Sequence, residues 1–266
     1  MTIKLVAIDL DDTLLDSRLR ISPRCLQVIR QVQARGVMVT LATGRMYRSA
    51  LPYANQLQVD TPLITYQGAL VKNSRSGEEL YFQPVPCDLG VEVMDYFHQA
   101  GVHYHCYFDD RLCMEKLSYE GQQYAKLARV KPVIIKNLRE AAREKPSPKI
   151  LAAHYKEELL LDMEKELNTR FGDTLNITRS KSYFLEFMHP LATKGRALEI
   201  VARHYGIEKH EVMALGDSYN DLAMIEWAGL GVAMGNAREV VKKAADYVTL
   251  SNEDEGVAEA LQRFVL

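Results

Sequence analysis

The stretch "KLVAIDLDDTLLD", residues 4–16, decides the fold. It opens with a short apolar run, Leu5–Ile8, the pattern of a strand covered on both faces. Asp9, Asp11, Asp12 and Asp16 follow at once. Asp9 and Asp11 sit two apart where the strand ends, so both side chains can point the same way. In open α/β sheets ligands bind beyond the carboxyl ends of the strands. An acidic strand tip is therefore a candidate site.

Outward from that stretch, apolar runs alternate with helical patterns. In "SPRCLQVIRQVQARG", Ser22 suits an N-cap, Pro23 the first helical position and Gly36 the stop, with Leu26, Ile29 and Val32 on one face. "VMVTLATG" (37–44) and "PLITYQGAL" (62–70) read as further strands. This alternation predicts a parallel sheet with helices on both sides. Near residue 84 the pattern changes. A helix (88–100) leads to strands "VHYHCYF" and "RLCMEK", joined by Asp109-Asp110 as a tight turn. A helical stretch (118–129), an irregular basic segment with Pro132, Pro146 and Pro148, and strand "KILAAHY" follow. Helix 156–171, stopped by Gly172, then precedes paired strands "LNITRS" and "YFLEFMH". From about 190 the first pattern resumes: helix 194–205, "VMALGD", helix 219–228, "LGVAM", helix 237–245, "YVTL" and a last helix. The expected fold is α/β: a Rossmann-like parallel-sheet core (1–83 and 190–266) with an inserted α+β cap domain (84–189) on two hinges.

Composition removes several function classes. The chain has 266 residues, room for two domains, with 47% hydrophobic and 26% charged residues. A net charge of −2 offers no basic surplus for nucleic acid or membrane. Cys25, Cys87, Cys106 and Cys113 show no CxxC spacing and read as small core fillers or free thiols. The N-terminal apolar run is too short for a signal peptide or a membrane span, so a cytoplasmic protein is expected.

Three more strand or helix ends carry polar groups. "VMVTLATGR" ends with Thr43 and Gly44, "VMALGDSYND" with Asp217 and Asp221, and Lys194 opens a helix behind Thr193, a suitable N-cap. Clustered carboxylates raise one another's pKa unless a cation shares the site, and hard oxygen ligands suit Mg²⁺ beside a phosphate. A lysine opposes the helix dipole in a first turn, but an anion held there reverses the argument. Phosphoryl transfer uses these parts: a nucleophile, a cation and positioned donors. The chain has no GxxxxGK[ST], which argues against a P-loop enzyme.

In that order, "DLDDT", "ATGR", "TKG" and "GDSYND" closely resemble the four signature motifs of the haloacid dehalogenase-like phosphatases. The insertion between the second and third motifs resembles the Cof-type subgroup with a large α/β cap. The resemblance implies that Asp9 attacks phosphorus to form an aspartyl-phosphate and that Asp11 protonates the leaving alcohol, then activates water. It also implies that Thr43, Gly44, Lys194 and Asn220 hold the phosphoryl group. Mg²⁺ would take the carboxylates of Asp9 and Asp217 and the backbone carbonyl of Asp11, with Asp221 as a direct ligand or a support. Two positions depart from the subgroup: Asp12 stands where glycine is usual, and "QGA" with Gln67 stands where many relatives read NGA.

The implied activity is hydrolysis of a small phosphorylated metabolite, foremost a sugar phosphate, with phosphorylated cofactors and flavin precursors as rivals. A phosphomutase or phosphotransferase would use the same aspartyl-phosphate, and a non-catalytic sensor would have no use for both Asp9 and Asp11. Other residues carry ordinary readings. Asp16 is a turn residue, Asp12 a structural one, and Glu186 either fixes the return hinge or meets substrate. His103 and His105 share one strand face as sheet surface or substrate contact, while Tyr104, Tyr107 and Phe108 pack the cap's own core. His105 and Tyr107, taken to lie on opposing faces of that strand, are the first probes of substrate preference. The stretch "KLARVKPVIIK" (126–136) reads as a solvated basic face.

Overall fold

The computed structural model describes residues 2–266, which divide into two compact units, 2–81 with Thr193–Leu266, and Phe82–Ala192. The chain leaves the first unit two residues earlier, and re-enters it three residues later, than the change of sequence pattern suggests.

The first unit begins β1 (Leu5–Ile8), α1 (Pro23–Ala34), β2 (Met38–Leu41), α2 (Tyr47–Leu57), β3 (Pro62–Thr65), β4 (Leu70–Asn73) and β5 (Glu79–Phe82). In the second unit follow α3 (Cys87–Ala100), β6 (His103–Phe108), β7 (Arg111–Met114), α4 (Tyr119–Ala128), β8 (Val133–Ile134), α5 (Leu138–Glu144), β9 (Ile150–Ala153), α6 (Glu157–Phe171), β10 (Asn176–Lys181) and β11 (Phe184–Met188). The first unit resumes with α7 (Lys194–His204), β12 (Val212–Gly216), α8 (Leu222–Trp227), β13 (Leu230–Ala233), α9 (Glu239–Ala244), β14 (Tyr247–Val248) and α10 (Gly256–Phe264).

Five parallel strands in the order β14-β13-β12-β1-β2 form the central sheet. Ile8 is in register with Leu41 on one side and Leu215 on the other, so the three strands end within one residue of one another. From β1 the chain moves outward through β2, and it later returns at β12 on the opposite side. The gap between β1 and β12 is thus a topological switch point, where open α/β sheets bind ligands. Leu5, Ala7, Val212 and Ala214 pack with Leu198 and Val201 of α7 and Met224 of α8. Burial on both faces is why these strands read as unbroken apolar runs.

Local signals hold in several places. Ser22 accepts a hydrogen bond from the Cys25 amide at 3.1 Å, and Gly36 takes the left-handed conformation that ends α1. The buried face of α1 is Cys25, Val28, Ile29 and Val32, with Leu26 only half-buried. Asp16 is a turn residue, accepting from the amides of Arg18 and Arg20. Other expectations need correction. Residues 62–70 are not one strand: β3 and β4 are antiparallel partners around a turn at 66–68, because three consecutive left-handed residues reverse the chain. The prolines at 132, 146 and 148 bracket ordered structure, β8 and α5, rather than an irregular segment. The helix expected over 219–228 is a 3₁₀ turn at Tyr219–Asp221 followed by α8.

The second unit is a six-stranded sheet, β10-β11-β9-β6-β7-β8, antiparallel except for the β7–β8 pair. Asp109 and Asp110 both have positive φ, as a two-residue hairpin turn requires. Tyr104, Cys106, Phe108, Ile150 and Phe187 pack with Phe97 of α3, Leu138 of α5 and Leu160 of α6. The opposite face carries buried polar groups among apolar neighbours such as Leu112 and Leu151. Ser118 Oγ lies 2.9 Å from His103 Nδ1, His103 Nε2 lies 3.2 Å from His105 Nδ1, and His105 Nε2 lies 3.3 Å from Tyr107 Oη. Tyr107 therefore leaves the aromatic core formed by Tyr104 and Phe108, and it shares a face with His105 because residues two apart in a strand point the same way. The histidines are interior groups, not sheet surface. Glu186 pairs with Lys149, just before β9, at 3.2 Å and accepts from Ser180 of β10 at 2.7 Å, while its Oε2 has no partner among the described residues. A buried ion pair, rather than a hinge bond, accounts for Glu186. All four cysteines are free thiols.

Burial lowers the His103 pKa to about 4, with Glu120 opposing and Lys116 assisting the shift. Burial, His103 and Lys149 push His105 down as well. Between about 6.5 and 4 the unfolded chain binds a proton that folded His103 refuses, so stability falls as pH drops through that window. His103 alone is worth about 3 kcal/mol there by linkage. Urea unfolding of the full chain should show His103→Gln losing less stability than wild type between pH 6.5 and 4. Equal slopes for the two proteins would refute this account.

Candidate active site

Asp9 follows the last residue of β1, and its amide donates to Leu215 O at 3.1 Å, tying it to the neighbouring β12. The chain then makes one π-type turn, Leu10–Leu14, with Leu14 N donating to Asp9 O. Such turns recur at functional sites because they re-aim successive side chains. Asp11 is extended and Asp12 left-handed (φ 59°), a conformation open to aspartate and natural to glycine. Asp12 itself is exposed, and its carbonyl accepts from Asn236.

Lys194 is fully buried in the first turn of α7, behind Thr193, whose hydroxyl accepts from the Arg196 amide at 3.2 Å. Its Nζ lies 2.6 Å from Asp9 Oδ1 and 2.6 Å from Asp221 Oδ1. The other Asp221 oxygen accepts from the amides of Asp217 and Ser218, both at 3.0 Å. Asp217 in turn accepts from Thr13 Oγ1 at 3.1 Å and Ser218 Oγ at 2.7 Å. Asp9, Asp217 and Asp221 each offer a carboxylate oxygen within 4.8 Å of the others. Three carboxylates thus face one lysine.

That imbalance sets the protonation. Burial raises the Asp9 pKa well above the usual range; Lys194 opposes the rise, and Asp221, Asp217 and Asp11 add to it. Burial, then Asp221, pushes Asp217 up to about 6. Burial also works against the charge on Lys194, but Asp221 and Asp9 outweigh it and hold the ammonium protonated. A divalent cation among these oxygens would remove the repulsion.

Asp11 stands apart from this cluster. Arg45 Nε and Nη2 grip its carboxylate at 2.8 and 2.6 Å, and Arg45 lies 5.2 Å from the centre of the Tyr53 ring. Thr43 is fully buried and its Oγ1 accepts from the Arg45 amide at 3.2 Å. Asn220 donates to Gln67 Oε1 at 2.8 Å. The structure thus gathers Asp9, Lys194, Asp217 and Asp221, and sets Thr43, Gly44 and Asn220 in the neighbouring loops. Residue-type reasoning missed Arg45, Thr13 and Ser218. Arg45, Thr13 and Ser218 lie inside the quoted motifs "ATGR", "DLDDT" and "GDSYND", which was the available signal.

Residues 6–261 match the profile of the haloacid dehalogenase-like hydrolases. The chain belongs to this family. Among solved structures, this hydrolase is similar to a haloacid dehalogenase-like hydrolase from Bacteroides thetaiotaomicron, with 34% identity and a TM-score of 0.91, covering 98% of this chain and 99% of that one. It is 31% identical to an HMP-PP phosphatase of Serratia proteamaculans over 98% of this chain and 95% of that protein. A subclass IIB sugar phosphatase matches with 26% identity and a TM-score of 0.84 over 98% of each chain. The hydrolase is a phosphoric monoester hydrolase. No helix among its described residues is long and apolar enough to cross a membrane.

Proposed function

We propose that this hydrolase is a Mg²⁺-dependent phosphatase of a small phosphorylated metabolite, most simply a sugar phosphate, working through an aspartyl-phosphate on Asp9. The observation that carries the reading is the buried Asp9–Lys194–Asp221 bridge beside Asp217 at the switch point of the sheet. One lysine and three crowded carboxylates leave surplus negative charge that a hard divalent cation would balance. The donor set fits Mg²⁺: Asp9 and Asp217 supply carboxylates, and the Asp11 carbonyl belongs to the same strand end. Asp221 already spends both oxygens on Lys194 and two amides, which suits a support rather than a ligand. When bound, the cation would neutralise charge on the transferring phosphoryl group.

In this reading an Asp9 carboxylate oxygen attacks phosphorus and the bond to the bridging oxygen breaks. Asp11 gives its proton to the departing alkoxide. Water then attacks phosphorus, gives a proton to Asp11 and releases inorganic phosphate, restoring Asp9. Delivering that proton requires Asp11 to exchange one of its two Arg45 bonds for the substrate oxygen. Thr43, the Gly44 backbone, Lys194 and Asn220 would hold the phosphoryl oxygens. The enzyme would work in the cytoplasm. The sugar-phosphatase and HMP-PP phosphatase relatives support a small phosphorylated substrate.

Phosphate release from a panel of phosphorylated metabolites tests the proposal. Turnover should stop on exhaustive chelation, return with Mg²⁺ and return poorly with Ca²⁺, whose larger and looser coordination misplaces the phosphoryl group. Full activity after chelation would sink the metal assignment. Product in which phosphate has moved to an added sugar, rather than to water, would make the enzyme a phosphotransferase.

A further inference from the structure

We propose that Gln67 is a positioning residue of the phosphate site, setting the amide of Asn220 from a strained turn that braces the other site loops. The inference rests on the reading of Asn220 as a phosphate-holding side chain.

Tyr66, Gln67 and Gly68 adopt φ values of 51°, 61° and 99° in succession. Left-handed backbone is ordinary for glycine but costs a bulky residue about 1 kcal/mol or more, and two such residues adjoin here. Strain of this kind persists only where the surroundings impose it. Three contacts join the turn to loops of the site. The Tyr66 amide donates to Arg45 O at 2.9 Å, and the Gln67 amide donates to Thr43 O at 3.1 Å. Gly68 lies against the start of α7 so closely that a Cβ there would stand 2.3 Å from Thr193 O. The turn therefore touches the loop of Thr43 and the residue before Lys194.

The Gln67 side chain makes the remaining connection. It is 5% exposed, and its Oε1 accepts from Asn220 Nδ2 at 2.8 Å. A Cβ on Gly44 would stand 2.4 Å from Gln67 Nε2, so residue 44 must be glycine for this carboxamide to lie where it does. An amide has two donors and one acceptor and can present either end to a ligand. Giving one N–H of Asn220 a fixed acceptor decides which way that amide faces, and leaves the second N–H for a phosphoryl oxygen. An asparagine at position 67 would tolerate the left-handed backbone but is one methylene shorter. The turn thus keeps an unfavourable residue where a longer reach is needed.

The test uses the full enzyme with Mg²⁺, para-nitrophenyl phosphate as reporter and inorganic phosphate as competitive inhibitor. Gln67→Gly relieves the backbone and removes the whole buried side chain, the acceptor for Asn220 with it. It should raise the phosphate inhibition constant by about tenfold, the order of one hydrogen bond to a charged group, as should Asn220→Ala. The double variant should be no worse than either single one, since both remove the same contact. Gln67→Asn should behave like Gln67→Gly, and carries the same test if the glycine variant fails to fold. A wild-type inhibition constant in Gln67→Gly or Gln67→Asn would overturn the inference, as would a Gln67→Gly effect that persists in full on top of Asn220→Ala. If Asn220→Ala itself is silent, the inference falls with the phosphate role of Asn220, while loss of turnover in Asp9→Asn would still uphold the phosphatase reading.

Discussion

Asp9→Asn is expected to abolish turnover while leaving the metal-free protein at least as stable as wild type. The substitution deletes the nucleophile with almost no change in volume. A loss of at least about a thousandfold, or about 4 kcal/mol of barrier, is expected when covalent catalysis goes. The stability expectation comes from the charge balance around Lys194. Charging Asp9 works against burial and against the carboxylates of Asp221, Asp217 and Asp11, which is why its pKa is raised. A carboxylate whose folded pKa exceeds its unfolded value weakens the fold once pH rises past the unfolded value. A neutral amide escapes that cost, and Lys194 keeps Asp221 at 2.6 Å. Thermal unfolding in chelator at pH 7 should therefore show no loss of Tm. More than a tenth of wild-type turnover in a purified variant would remove Asp9 from the nucleophile role.

Lys194→Met reverses the sign of the stability effect at the same bridge. The substitution keeps an unbranched side chain of similar length but removes the only cation that Asp9 and Asp221 touch among the described residues. Two buried carboxylates lose their counter-charge, and breaking a buried pair from one side costs about 3–5 kcal/mol. For a unit of this size that corresponds to a Tm lower by about 10 °C in chelator. Turnover should vanish as well, since the phosphoryl group loses its lysine. A variant with unchanged Tm would show that the carboxylates are relieved by protonation rather than by Lys194, and the charge balance argued above would be wrong.

Much of this was legible in the residues. Leu5–Ile8 and "VMALGD" read as strands because burial on both faces leaves an unbroken apolar run, a pattern that survives without knowing the neighbours. Asp9, Lys194, Asp217 and Asp221 could be named in advance because a strand end or helix start is a local property. The turn at 66–68 was misread for the opposite reason. "PLITYQGAL" has strand composition throughout, and the turn at Tyr66, Gln67 and Gly68 is held by contacts to Arg45, Thr43 and Thr193, none of them close in sequence. His105 and Tyr107 were placed on opposing faces although strand periodicity alone puts them together, as their hydrogen bond confirms.

By itself, then, the sequence determined which residues are apolar strands, which carry ionisable groups at strand ends, and in what order they come. Those follow from local pattern. Only the tertiary structure decided who meets whom: that Asp11 is held by Arg45 instead of joining the acidic cluster, that Asp221 serves Lys194 and the amides of Asp217 and Ser218, and that Gln67 reaches Asn220. Each of these contacts except the short loop around Asp221 spans tens to hundreds of residues. Its partner is chosen by strand order and register, which a linear pattern does not encode.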